Sequence, residues 1–158
     1  MADAGFMDAE PGPLMLRAES AEDLTVISAL SQDAVIPVAE IAYDPRARQI
    51  AFLINRFRWE DADAAEREGR PFERVRALLV FRDVLSVKSD GIDRNDRELV
   101  LSLLSIGFQP GEDGAGVALL HFAGDGVMAL SVECLDADLR DVSRPYIAPS
   151  RLRPGHPD

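Results

Sequence analysis

Six consecutive residues, Asn55-Arg56-Phe57-Arg58-Trp59-Glu60, join charge to aromatic area at a point where apolar sequence gives way to polar sequence. Read as a strand, successive side chains alternate, so Arg56 and Arg58 share one face while Asn55, Phe57 and Trp59 share the other. Arg74 and Arg76 repeat the same spacing in the next apolar stretch. Pairing of the two strands would align Arg56, Arg58, Arg74 and Arg76 as a positive stripe on an exposed face, with Trp59, the only tryptophan, beside it. A guanidinium presents a planar fork of donors that matches carboxylate and phosphate. An indole adds contact area and one N–H. The competing reading is a solvated sheet face on which Glu40, Glu60 and Glu73 neutralise these arginines.

Other chemistry-bearing residues lack the spacing that their chemistry needs. Asp90, Asp93, Asn95 and Asp96 cluster, yet counting from Asp90 puts Asn95 where a calcium loop needs glycine and Leu101 where it needs glutamate. The expectation is a solvated turn in which Asp93 or Asn95 bonds nearby backbone N–H groups. Gly111, Gly114 and Gly116 precede a strand-like Val117-Ala118-Leu119-Leu120, with no helix whose N-terminus could hold a pyrophosphate. His121 and His156 are the only histidines and Cys134 the only cysteine. Cys134 alternates with Met128, Leu130 and Val132, which assigns it to the inner face as a small, inert hydrophobe. Hairpin pairing about residues 124–125 sets His121 opposite residue 128 or so, out of register with Cys134, and no serine stands in a nucleophile elbow. Neither a catalytic set, a metal site nor a cofactor is expected.

Composition narrows the class. The chain has 158 residues, 47% hydrophobic and 28% charged, the balance of a globular domain. Its net charge of −11 opposes nucleic acid and anionic membrane at long range. The charge is uneven: residues 44–82 hold nine bases against seven acids, whereas residues 1–43 hold one base against eight acids. One cysteine excludes an intrachain disulfide framework. The N-terminus lacks a signal-peptide pattern and no stretch approaches a membrane span, so a cytoplasmic protein is expected.

The elements that must position these residues follow from periodicity. Residues 1–13 read as a flexible leader and 146–158 as a flexible tail, with one globular domain over 14–145. Leu14 to Arg17 is a short strand. Ser20 caps a helix over 21–32 with Leu24, Ile27 and Leu30 on its buried stripe. Residues 37–43 and 49–59 form a hairpin about Asp44-Pro45-Arg46-Ala47-Arg48. Residues 60–72 are assigned to a polar loop with at most one helical turn. Strands follow at 74–81 and 84–87, separated by an irregularity at Asp83, and then at 98–108, where a buried helix competes. Residues 117–122 and 127–134 make a second hairpin, and 136–142 a short C-terminal helix. The fold class is α+β: a strongly bent antiparallel sheet of about seven strands, one helix before it and one after, an order like that of pleckstrin-homology modules.

The stretches Ala21-Glu22-Asp23-Leu24-Thr25-Val26-Ile27-Ser28-Ala29, Gln32-Asp33-Ala34-Val35, Asn55-Arg56-Phe57-Arg58-Trp59-Glu60, Gly91-Ile92-Asp93-Arg94, Leu101-Ser102-Leu103-Leu104 and Val132-Glu133-Cys134-Leu135 carry a resemblance. Over most of residues 14–145 the chain resembles an uncharacterised alphaproteobacterial family of small proteins, a domain of unknown function. The resemblance implies a bacterial, intracellular protein and no mechanism.

The expected function is therefore a non-enzymatic binding or assembly module, using Arg56, Arg58, Trp59, Arg74 and Arg76 to meet an acidic or phosphorylated protein partner. The first alternative is an enzyme acting on a small phosphorylated ligand, which requires a deep pocket where arginines converge with Asp93, Asp96 or Glu133. The second is a homodimer built on exposed strand edges.

Overall fold

The computed structural model describes residues 12–150 and 152–155. The leader expected over residues 1–13 lies almost wholly outside the described residues. In chain order the elements are β1 (Met15–Ala18), α1 (Ala21–Leu30), β2 (Val35–Pro37), a 3-10 turn (Val38–Glu40), β3 (Ile41–Asp44), β4 (Gln49–Phe57) and α2 (Trp59–Glu68). Then follow β5 (Glu73–Phe81), β6 (Val84–Asp90), β7 (Val100–Pro110), β8 (Gly116–Phe122), β9 (Val127–Val132), β10 (Ala137–Asp141) and β11 (Tyr146–Ile147).

Local chemistry explains both helices. Ser20 Oγ accepts from the Asp23 N–H at 3.2 Å, and Glu22 and Asp23 sit where the unpaired N–H groups favour negative charge. Leu24 and Ile27 are buried, so α1 packs its stripe on the sheet. Residues 60–72 are a correction: α2 spans Trp59–Glu68, with Glu60 and Asp61 in its first turn and Arg67 in its last. Only Ala62 and Ala65 are buried on it, a stripe too small to register as hydrophobic periodicity. Gly69 ends the helix at φ 67°, a left-handed position that glycine adopts without steric cost, and its N–H caps Ala65 and Glu66 carbonyls.

The sheet has eleven antiparallel strands, in the order β1-β10-β5-β4-β2-β7-β8-β9-β6, with β3 on β4 and β11 on β5 off this path. This corrects the expected architecture. The path runs open from β1 to β6 with no ladder joining its ends, so the sheet is neither closed nor strongly curled. The second helix lies between β4 and β5, not after the last strand, and the pleckstrin-homology comparison falls with it. Residues 137–141 form β10, not a helix: Ala137 and Leu139 alternate with Asp138 and Arg140, and β10 fills the gap between β1 and β5. Residues 100–110 form a strand, as the strand reading required. The irregularity at Asp83 is a residue at φ 56° followed by a register shift between Val84 and Ser86.

One buried cluster joins both halves of the sheet, including Phe52, Leu79 and Phe81 from β4 and β5 and Leu103, Leu120 and Leu130 from β7, β8 and β9. Phe57, Val75, Ala62 and Ala65 are also buried, but outside that cluster and beside α2.

Candidate functional site

Register decides where the arginines point. Directly opposed residues of an antiparallel pair share a face, and β4 meets β5 with Asn55 opposite Arg76, Arg56 opposite Val75 and Phe57 opposite Arg74. Val75 and Ala77 are fully buried, so Arg56 points inward with them. Arg74 and Arg76 point outward. The four arginines thus divide between opposite faces and form no single stripe.

Arg56 is 0% exposed, and a charge so placed requires full pairing. Its Nη1 and Nη2 reach the two Glu60 oxygens at 2.9 and 2.8 Å, while Nε and Nη2 reach Asp141 at 3.1 Å each. Burial works against the guanidinium charge. The bonds and charges of Glu60 and Asp141 outweigh it, and the Arg56 pKa is raised above the ordinary arginine value. Arg58 is buried as well, bonded through Nη1 to Glu73, with Asp61 and Glu60 at 3.7 and 3.8 Å. Two of the three carboxylates that the neutralised-face reading invoked, Glu60 and Glu73, are these partners. Trp59 opens α2, stacks edge-on against Phe57 at 4.7 Å and donates its indole N–H to the Gln32 carbonyl at 2.9 Å. These three residues fasten α2 and the end of β4 to the rest of the domain.

The outward face is built differently. Arg74 is half-buried, with Nε on the Asn55 side-chain oxygen at 2.7 Å and Nη2 on the Asn55 carbonyl at 2.9 Å. Desolvation holds its pKa below the usual arginine range. Tyr146, opposite Arg74 on β11, bonds Asn55 through its hydroxyl. Arg76 is exposed. Leu78, next outward on β5, faces Arg140 on β10, and Arg140 faces Met15 on β1. Val142 extends this row, its N–H bonding the Arg76 carbonyl at 2.8 Å. Arg76 and Arg140 are diagonal neighbours on one face, and among the described residues neither has a carboxylate within 4.0 Å. Met15 (58% exposed), Val142 (50%) and Tyr146 (37%) surround them. A helix over 136–142 followed by a tail hides Arg140, Val142 and Tyr146, whereas the alternation Ala137-Asp138-Leu139-Arg140 is the signal in the sequence that points to them.

Surface pockets among the described residues lie elsewhere, two of them near residues considered above. One, about 450 Å³, borders Phe108, Gly111, Cys134 and Asp136; the other, about 260 Å³, borders Arg58, Asp141, Ser143 and Arg144. Neither contains Asp93, Asp96 or Glu133. Asp93 instead accepts from the Asn95 N–H at 3.0 Å, as expected of the turn, and Glu133 pairs with Arg48 at 3.1 Å. His121 lies opposite Val127, out of register with Cys134, while His156 lies outside the described residues. Cys134 is a correction: it is exposed, because β9 ends at Val132 and alternation ends with it. Among the described residues, no group of three His, Cys, Asp or Glu side chains is placed to hold a metal ion, and no helix is long and apolar enough to cross a membrane.

An α+β domain with an open antiparallel sheet, a charge-locked helix and an outward arginine-bearing face is the class these features define. Within it, residues 14–156 match the family described as "Protein of unknown function (DUF2948)", and the chain belongs to that family. Neither a curated protein nor a solved structure matches the chain.

Proposed function

We propose that the protein is a non-enzymatic binding module whose outward sheet face takes an acidic protein segment. The observation that carries this reading is the pair Arg76 and Arg140: two exposed cations without carboxylate partners among the described residues, framed by exposed Met15, Val142 and Tyr146, on a chain of net charge −11. Acids outnumber bases 28 to 17, so unpaired arginines side by side run against composition. A broad face of arginine and tyrosine suits a protein partner, since both residue types concentrate binding energy at interfaces. Arg74 supports the face from within, and Arg56, Arg58 and Trp59 contribute by holding α2 and β4 in place. The acidic composition, the single cysteine and the resemblance to alphaproteobacterial proteins support a bacterial, cytoplasmic setting.

The test is titration of a fluorescent glutamate-rich peptide containing tyrosine, at constant ionic strength, against the native chain and the double variant Arg76→Glu/Arg140→Glu. Both side chains are exposed, so the variant keeps the fold. Two charge reversals, each removing an attraction of up to about 1 kcal/mol and adding a repulsion, weaken binding by roughly 30-fold or more. Equal affinity in both proteins, or no binding by the native chain at millimolar peptide, refutes the reading.

A further inference from the structure

The pocket beneath β10 has the composition of an anion site. Its wall holds Pro13, Arg58, Asp141, Ser143, Arg144 and Pro145, around a volume of about 260 Å³. Among the described residues Asp141 is the only carboxylate that lines it, and it is already engaged: its oxygens accept from Arg56 at 3.1 Å, twice, and from the Leu14 N–H at 2.9 Å. Three of the four lone pairs of this carboxylate are engaged, which leaves a single acceptor position for an entering cation. Ser143 Oγ is occupied as well, accepting from the Arg76 N–H and donating to the Arg144 carbonyl.

The two arginines have capacity left. Arg58 is 5% exposed and braced on one edge, where Nη1 bonds Glu73 and the nearer oxygens of Asp61 and Glu60 stand at 3.7 and 3.8 Å, beyond hydrogen-bond reach. A guanidinium has five N–H donors, and the bonded edge of Arg58 leaves Nη2 without an acceptor among the described residues. Arg144 is exposed and has no ion pair among the described residues. One guanidinium fixed by its surroundings and one free to close make an inexpensive clamp, because the fixed side chain has already lost its rotamer freedom.

We propose that this pocket binds an oxyanion group, phosphate or carboxylate, between Arg58 and Arg144. The volume falls just under the usual 300–1,000 Å³ of small-molecule pockets. It fits an anionic head group with a small body, not a nucleotide. This site is separate from the outward face of Arg76 and Arg140 and does not depend on that face being a partner surface.

The test is a calorimetric titration of the full chain with inorganic phosphate, phosphoserine and acetate, each against chloride at equal ionic strength. Saturable binding of at least one of the three in the millimolar range is expected, and Arg144→Gln weakens it about tenfold, the loss of a charge-assisted bond. Arg94→Gln, at an exposed arginine in the loop after β6 and outside both sites, leaves it unchanged. Preference for phosphoserine over inorganic phosphate identifies a phosphorylated side chain as the source of the group, and the reverse identifies a free anion. No saturable binding, or an affinity that Arg144→Gln shares with the native chain, overturns the proposal. Failure of the glutamate-peptide titration leaves this result untouched.

Discussion

Cys134 is exposed, and its thiol donates to Asp83 Oδ2 at 3.1 Å. That bond, followed by desolvation and the charges of Asp83, Asp136 and Glu133, pushes the thiol pKa up. The thiolate is the nucleophile, so accessibility here does not bring reactivity. Alkylation of the native chain by iodoacetamide at pH 8 should run slower than that of a small free thiol, and Asp83→Asn should accelerate it. Asparagine tolerates the positive φ of 56° at this position, so the variant isolates the charge. An unchanged rate would mean that Asp83 does not hold the thiol. Alternation along β9 predicts a buried Cys134, but β9 ends at Val132 and the alternation ends with it.

At the scale of elements, α2 is held less by apolar burial than by charge: Ala62 and Ala65 are its buried side chains, while Glu60 and Asp61 engage Arg56, Arg58 and Arg70. Burial would raise the Glu60 pKa, but the bond to Arg56, the charge of Arg56 and smaller contributions from its own backbone and Arg58 bring it below the usual glutamate value. A carboxylate with a depressed folded pKa contributes stability in full above its unfolded pKa of about 4.3, and that contribution disappears as pH falls through the folded value. Glu60→Gln should therefore cost roughly 1–3 kcal/mol at pH 7, short of the 3–5 typical of breaking a fully buried pair because Glu60 is partly solvated. It should also flatten the acid limb of the stability curve. Urea denaturation of both proteins from pH 7 to 3 measures this, and parallel curves would show that the pair is idle. The contrast with α1 is instructive. Ser20, the first-turn acids and the Leu24–Ile27 stripe announced α1 in sequence, whereas α2 depends on Arg56, which Asp141 braces from 85 residues away, and on the bond from the Trp59 indole to the Gln32 carbonyl.

Across the whole molecule, net charge and local charge have opposite signs at the proposed face. At low salt the Debye length of about 30 Å lets an approaching acidic segment feel the full −11. At about 0.15 M it shrinks to roughly 8 Å, and Arg76 and Arg140 dominate close range. The association rate of the glutamate peptide should consequently rise between about 0.01 and 0.15 M salt, the reverse of a steered encounter; stopped-flow fluorescence measures it, and a steady fall would show that the global charge is not felt. Composition and periodicity by themselves determined a globular, acidic, α+β chain, the α1 helix, the β8–β9 hairpin, the turn that joins β3 to β4, the break at Asp83 and the absence of register between His121 and Cys134, all properties of charge count or near neighbours; the strand expected over 37–43 is instead broken by the 3-10 turn at Val38–Glu40. Strand number, the open order of the sheet and the two faces of the arginine segment were decided by tertiary pairing. Arg56 looks like any surface arginine until β5 places Val75 opposite it and β10 brings Asp141 within 3.1 Å, across 85 residues of chain.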